Sequence, residues 1–411
     1  MGSKSRVVHM PQPKLAHSFA DALPSMVTEA RGADFPDPQI VMLNEPLARE
    51  LGLDCEWLRS KDGLRWLTGA NGGHATAYAG HQFGQFVPLL GDGRALLLGD
   101  LPTPDGRVEI QLKGSGPTPF SKPGADGRGA LGPMLREYLV SEFMHAVGIP
   151  TTRSLAVLTT GETVLRQQGY VPGGIVVRVA RSHLRIGSVQ YAAARSPELV
   201  EKLIDVAGFD APEDLLAAVM ERQLNLVAQW MRIGFVHGVM NTDNVALSGE
   251  TIDYGPCAFT EKFRTDACFS SIDTRGRYAF GNQPDIMAWN LTRLAEALLP
   301  VSNEDAMREV LTEMEPTWHR AWENHVPTPQ ALAAADDITA YNREHDGGPL
   351  FIPRNRMLDR AIMSAERDSD VQPCFELLAA VTDPYNAEAG PTWMAEPEGD
   401  EGEPFVTYCG T

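Results

Sequence analysis

Hydrophobic and polar positions divide the chain into two parts with different periods. Ala95–Leu98 is a short apolar run behind a Gly91-Asp92-Gly93 turn, and Val108–Leu112 (VEIQL) alternates; both read as strands. A loop rich in Gly, Ser and Pro follows (KGSGPTPFSKPGADGRGA). Met134–Val147 then carries apolar residues at helical spacing and is stopped by Gly148 and Pro150. Leu155–Thr159 and Thr163–Arg166 read as a hairpin about Thr160-Gly161-Glu162, and Gly174–Ala180 (GIVVRVA) as a further strand. This order predicts a small sheet with one helix packed on it. Upstream, residues 1 to about 75 mix short helix-like stretches, such as Glu45–Leu51, with polar loops.

The second part has the period of amphipathic helices, over Pro197–Gly208, Pro212–Met231 and Pro284–Leu299, with more helices across 303–382. Between them, Gly234–Gly255 is a loop region with two short apolar pieces, Val245–Leu247 and Thr251–Ile252. Ala395–Pro404 is an acidic, solvated linker, and Phe405–Thr411 turns apolar again, so the tip is expected to dock. The outline is α+β and that of a protein-kinase-like bilobal fold. Residues 1–180 form an N-terminal extension and a β-rich N-lobe with one main helix. Residues 181–394 form a larger helical C-lobe, and 395–411 a flexible acidic tail ending in a Cys-containing tip.

Composition narrows the function. The 411 residues carry a net charge of −19, which disfavours nucleic acid and anionic membranes as partners but leaves room for a local basic site. No stretch approaches the roughly 18 apolar residues of a membrane span. The first residues hold two early cations without an apolar segment behind them, so no secretory signal is expected. Gly2 suggests myristoylation, but Arg6 stands where Ser or Thr is needed. Cys55, Cys257, Cys268, Cys374 and Cys409 are scattered, with no C-x-x-C pair, so neither a disulfide scaffold nor a zinc site is expected. A reducing cytoplasm is the default compartment, and nothing demands more than a monomer.

The chemistry concentrates in Gly234–Pro256 (GFVHGVMNTDNVALSGETIDYGP). Kinases place His-Arg-Asp-x-x-x-x-Asn on a loop, followed by a hairpin and Asp-Phe-Gly, and the Asn and second Asp bind divalent metal. Here His237 opens the loop, Asn244 lies seven residues on, and Asp253-Tyr254-Gly255 follows. Asn244 and Asp253 match the metal-ligand pair. The base position fails, because five residues before Asn244 stands Val239, which cannot accept a proton. A carboxylate has appeared instead at Asp243, which moves the place where a nucleophile can be activated. The alternative is an Asx turn in a non-catalytic relic.

A phosphate clamp is also legible. Lys113 ends the Val108–Leu112 strand, where kinases carry a phosphate-binding lysine paired with a helix glutamate; Glu137 and Glu142 are the candidates. Arg94, Arg128, Arg178 and Arg185 cluster around the same sheet edge. Five such cations in an acidic protein are costly unless an anion sits among them, and a triphosphate would neutralise several at once. Gly-x-x-x-x-Gly-Lys-Ser/Thr, Gly-x-Gly-x-x-Gly and Gly-x-Ser-x-Gly are all absent. His81, His145, His183 and His237 lack metal-ligand spacing and read as structural.

Seven blocks in order (GHQFGQFVPLLGDGRALLLGD, EIQLKGSGPTPFSKPGADGRGAL, REYLVSEFMHAVGIPTTRSLAV, VVRVARSHLRIGS, GFVHGVMNTDN, TIDYGP and GRYAFGNQPDIMAWNL) resemble the selenoprotein O family over about residues 75–300. The resemblance implies a kinase-like fold that transfers AMP from ATP, bound flipped relative to ordinary kinases, to protein hydroxyls. Carried over by motif, it implies Asp243 as proton acceptor and Asn244 and Asp253 as ligands for Mg²⁺, with Mn²⁺ open. It implies Lys113, paired with Glu137, as the phosphate holder, and Gly91, Gly93, Arg94, Asp126, Gly127, Arg178, Arg185 and Asp253 as the nucleotide lining. Two departures stand out: Pro123-Gly124 and Gly132-Pro133 interrupt the stretch between Lys113 and Glu137, and the chain looks short after residue 300. The resemblance further suggests a disulfide from Cys409 to Cys268, with Cys257 as the fallback. The competing readings are a γ-phosphoryl-transferring kinase, against which Val239 argues, and an inert nucleotide-binding pseudokinase scaffold, against which Asp243, Asn244 and Asp253 argue.

Overall fold

The computed structural model describes residues 12–104, 106–167, 169–326, 328–399 and 405–408. Ten strands carry its first half: β1 Val27–Ala30, β2 Gln39–Leu43, β3 Gly73–Thr76, β4 Gly80–Gln82, β5 Gln85–Val87, β6 Ala95–Thr103, β7 Gly106–Lys113, β8 Gly129–Ala130, β9 Arg153–Arg166 and β10 Gly169–Ala180. Eight of them form one antiparallel sheet in the order β1-β3-β6-β7-β10-β9-β2, with β8 paired to β10; β4 and β5 make a separate hairpin.

Both faces of the sheet are covered, which is why its strands read as apolar runs. Leu97, Val157 and Val176 face the helix Leu131–Ala146, whereas Leu96, Leu98, Ile175, Val177 and Val179 face Leu47, Leu58, Trp66 and Leu67. Those last four lie on short helices within 45–67. The first 75 residues therefore do more than their polar text suggested. They add two edge strands to the sheet and supply its second cover. A one-helix layer would have left Ile175, Val177 and Val179 in water, at roughly 1.5–3 kcal/mol for each large side chain.

A second correction concerns the expected hairpin about Thr160-Gly161-Glu162. Arg153–Arg166 is one strand. Thr159 pairs with Gly174 and Thr163 with Pro172, so three residues of β9 bulge opposite Gly173 alone. The Thr-Gly-Glu signal encodes that bulge. Gly161 sits at φ +74°, where a Cβ would lie 2.7 Å from the Asp37 nitrogen.

The second half is helical, with Pro197–Val206, Pro212–Arg232 and Gln283–Leu298 close to their expected bounds. The late helices Asn355–Arg367 and Gln372–Thr382 return to pack on Leu131–Ala146. Arg136 reaches Asp359 at 3.1 Å, and Glu366 accepts the Gly132 N–H at 2.7 Å. The helix Leu131–Ala146 is thereby enclosed on nearly every side. Gly132-Pro133 lies in its first turn rather than ahead of it, where proline's missing N–H costs nothing.

The acidic segment is anchored at its start. The Glu398 carboxylate accepts the backbone N–H groups of Arg356 and Met357, and so caps the helix Asn355–Arg367. The tip docks as expected. Thr407 exchanges backbone hydrogen bonds with Phe269 (2.8 Å) and Ser271 (2.9 Å), and its hydroxyl donates to the Pro256 carbonyl (2.8 Å). Cys409 lies outside the described residues. Among the described residues no helix is long and apolar enough to cross a membrane.

Candidate active site

Strand β7 and its neighbour β10 set the first half of the site. Lys113 stands opposite Val176, and Arg178 opposite Gln111, so both cations leave the sheet on the side of Leu131–Ala146. There they meet Glu137, which has no exposed surface. Lys113 Nζ lies 2.8 Å from Glu137 Oε2, and Arg178 Nη2 is 3.0 Å from the same oxygen. Glu142, the other candidate for Lys113, is taken by Arg153 at 2.7 Å and by the Ser154 N–H at 3.0 Å. The helical repeat turns it toward β9.

Asp253 completes this cluster. Its carboxylate bonds Lys113 directly and Arg178 Nη2 at 3.0 Å. Burial alone would raise its pKa, but Lys113 and Arg178, with Arg94 behind them, hold it well below the carboxylate range. Glu137 is likewise held low against burial by Arg178 and Lys113. Asp253 has a left-handed backbone at φ +69°, a strained choice for a residue other than glycine. The next residue anchors it: Tyr254 is fully buried, with its hydroxyl bonded to Thr151.

The second half of the site is the loop His237–Asn244. His237 is buried and held at both its backbone and its ring. Its N–H donates to Gln283 Oε1 at 3.0 Å, and its Nε2 lies 2.9 Å from the Ile252 carbonyl. Asn244 donates Nδ2 to the Val239 carbonyl at 3.0 Å, and its carbonyl oxygen accepts no hydrogen bond among the described residues. Asp243 is 9% exposed. Burial pushes its pKa up to about 6, against the opposing pull of Arg185 and a hydrogen bond from Gln82. Arg185 donates to the Asp243 backbone carbonyl at 3.0 Å, stacks on Tyr78 at 4.5 Å and faces Asp92 at 3.8 Å.

The glycine positions separate. Gly91 and Gly93 hold the turn before β6 beneath the 117–123 segment. A Cβ on Gly91 would strike the Phe120 ring at 2.5 Å, and Thr118 Oγ1 donates to the Asp92 carbonyl at 2.6 Å. Gly127, at φ +64°, would meet Pro117 N at 2.2 Å. Asp126 is half exposed and pairs with Arg166 at 2.8 Å. The described contacts thus join Lys113, Glu137, Arg178 and Asp253 directly, and bring Arg185 onto the Asp243 loop. They link Asp126 and Gly127 to the loop's own packing and to the distal end of β9.

The profile of the family described as "Protein adenylyltransferase SelO" matches residues 13–328. The chain belongs to the SelO family. It is 43% identical over 473 aligned positions to "Protein nucleotidyltransferase YdiU" of Corynebacterium glutamicum (strain ATCC 13032), covering 97% of this chain and 99% of that protein. The protein of the same name from Mycolicibacterium paratuberculosis is 42% identical, over 97% of this chain and 98% of the relative. That from Methylorubrum extorquens is 43% identical, over 91% and 94%. The first alignment is longer than these 411 residues, so the relative holds segments with no counterpart here.

Several residues of this SelO-family site escaped the sequence reading. Among them are Gln82, Asn241 and Thr242, which lock the β4–β5 hairpin onto the Asp243 loop, and Asp92, which receives Thr76 and Gln111. The block GHQFGQFV was visible, but nothing local says that its glutamine meets a carboxylate 161 residues away. Among the described residues, no group of three or more His, Cys, Asp or Glu side chains could hold a metal ion. The oxygen donors that the motif pairs are the Asp253 carboxylate, which Lys113 and Arg178 also bond, and the Asn244 side-chain carbonyl. Two hard oxygens suit a small divalent cation that takes its remaining ligands from phosphate and water.

Proposed function

We propose that this chain transfers AMP from ATP to the hydroxyl of Ser, Thr or Tyr in protein substrates and releases pyrophosphate. The sheet-bearing and helical parts serve as the two lobes of a kinase-like fold, divided near residue 180, with a tail beyond 394. Lys113 and Arg178, oriented by Glu137, hold the phosphates together with Arg94 and Arg185. Gly91, Gly93, Asp126 and Gly127 shape the loops around the nucleotide. ATP lies flipped relative to its pose in protein kinases, so that Pα faces the acceptor. Asn244 and Asp253 would hold Mg²⁺, or Mn²⁺ in its place, which when bound shields the phosphate oxygens as a Lewis acid.

The carrying observation is the division of acidity among the carboxylates. Glu137 and Asp253 are held ionised by cations, whereas Asp243 is buried with its pKa raised to about 6. A base poised near neutrality is suited to take the acceptor hydroxyl's proton. The acceptor oxygen bonds to Pα as the bond from Pα to the bridging oxygen breaks, and pyrophosphate leaves with that electron pair. Val239, where a γ-phosphoryl kinase keeps its aspartate, is buried and apolar.

Incubation of the protein and an acceptor with ATP labelled at Pα or at Pγ tests this. Label is expected in protein only from Pα. Label only from Pγ would establish a kinase instead, and no label with ATP bound would favour the scaffold. A parallel arm with α-labelled UTP reads nucleotide choice, and Mg²⁺ against Mn²⁺ reads metal choice. Asp243→Ala is expected to abolish transfer with nucleotide binding nearly intact.

We include a Cys268–Cys409 link, formed when a two-electron oxidant such as a dissolved disulfide accepts the two electrons and the thiols release two protons. Docking of Thr407 on Phe269 and Ser271 supports it, because it brings the chain to within two residues of Cys409 beside the Cys268 loop. Cys257, fully buried, is the weaker partner.

A further inference from the structure

The β4–β5 hairpin lies directly on the Asp243 loop, and its closeness is built in at several points. The Ala79 N–H donates to the Gly187 carbonyl at 2.9 Å, the His81 N–H to Thr242 Oγ1 at 2.7 Å, and the Phe83 N–H to Asn241 Oδ1 at 3.0 Å. Thr242 Oγ1 in turn donates to Gln190 Oε1 at 2.9 Å, and Gln190 Nε2 meets His81 Nδ1 at 2.9 Å. Glycine is required at the contact, since a Cβ on Gly80 would stand 2.6 Å from Asp243 Oδ1.

The turn of the hairpin is strained. Phe83 has φ +51° and Gly84 φ +86°, a primed hairpin turn whose first position normally takes Asn, Asp or Gly. A phenylalanine there costs on the order of 1–3 kcal/mol. Its ring packs on Tyr278 with centroids 5.2 Å apart, and the Tyr278 hydroxyl donates to the same Asn241 oxygen. Strain at this turn aims one side chain: the Gln82 amide donates to both Asp243 oxygens, each at 3.1 Å.

We propose that Gln82 is a positioning residue for Asp243. Its amide nitrogen bridges the two carboxylate oxygens, fixes the plane of the carboxylate and leaves the outer lone pairs for the acceptor hydroxyl. This rests on the reading of Asp243 as proton acceptor. Each carboxylate oxygen has two acceptor sites, so one bridging donor leaves the acceptor's approach open. Without it the buried carboxylate could turn about its terminal torsion, which is broad and roughly two-fold. A fixed base matters because transfer depends on near-attack geometry.

The test is steady-state AMP transfer by Gln82→Met, which keeps the volume and removes the donor, beside Asp243→Ala. Expected for Gln82→Met are a kcat at least tenfold lower, a KM for ATP within twofold of the original and a melting temperature within a few degrees. An unchanged kcat would overturn the proposal. So would a joint loss of kcat, ATP affinity and thermal stability, which would mark Gln82 as a packing residue. Gln82→Asn, with its amide one methylene back, serves as the graded control. Recovery of at least part of the lost kcat supports positioning, and a kcat no better than that of Gln82→Met counts against it. If Asp243→Ala itself keeps full transfer, the base assignment has failed instead, and the two failures are distinct.

Discussion

Replacing Asp243 with asparagine is expected to stabilise the protein while abolishing transfer. The carboxyl is 9% exposed, and burial raises its pKa from the ordinary 3.8 to about 6. The unfolded chain therefore releases this proton near pH 4, whereas the folded chain holds it until about pH 6. Stability contributed by the protonated group is fully present below pH 4, is lost as pH rises toward 6, and stays lost above. By linkage, a rise of that size corresponds to about 3 kcal/mol at pH 8. The amide carries no charge to bury, so the Asp243→Asn variant should exceed the original by up to ~3 kcal/mol at pH 8. Linkage with these two pKa values leaves about half of that gain at pH 5 and ~0.5 kcal/mol at pH 4. Urea unfolding at the three pH values, without nucleotide and with EDTA, reads the difference directly. A pH-independent difference, or a variant that gains stability over the original as pH falls, would refute the burial argument. The trade of stability for activity is typical of groups placed for chemistry rather than for folding.

Glu137→Gln leaves the buried Lys113 and Arg178 with one shared carboxylate, Asp253, in place of two, and should cost about 3–5 kcal/mol in chemical unfolding, with part regained at saturating ATP; equal stability would contradict the pairing. Gly127→Ala forces a Cβ to 2.2 Å from Pro117 N at φ +64°, and should cost about 1–3 kcal/mol in nucleotide-free thermal melts. Weaker ATP binding with an unchanged melt would give Gly127 a direct nucleotide role instead. Peptide mapping without reductant should find Cys268 joined to Cys409, and a free, alkylated Cys409 throughout would remove the link. When reduced, Cys268 should alkylate slowly at pH 8, because burial and Asp273 push its thiol up to about 11.

The chain's local text determined much of this. Period 3.6 with Pro and Gly stops placed the helices Pro197–Val206, Pro212–Arg232 and Gln283–Leu298. The spacing from His237 to Asn244 and Asp253 marked the candidate site, because a loop and the turn that follows it lie within a short stretch of chain. The relocation of a carboxylate from position 239 to 243 was equally plain, and so was the apolar tip that docks at Thr407. Where a signal depended on distant partners, the text was ambiguous. Thr160-Gly161-Glu162 could turn or bulge, and only the pairing of its flanks, Thr159 with Gly174 and Thr163 with Pro172, and contact with Asp37 made it a bulge. Glu137 and Glu142 read alike along the chain, and the rotation of one helix over β7 and β9 gave the first to Lys113 and the second to Arg153. The early polar segment became two edge strands and a cover only because the sheet had a second apolar face to bury. Tertiary structure alone laid Gln82 on Asp243, since a hydrogen bond depends on distance in space and leaves no periodic mark along the chain.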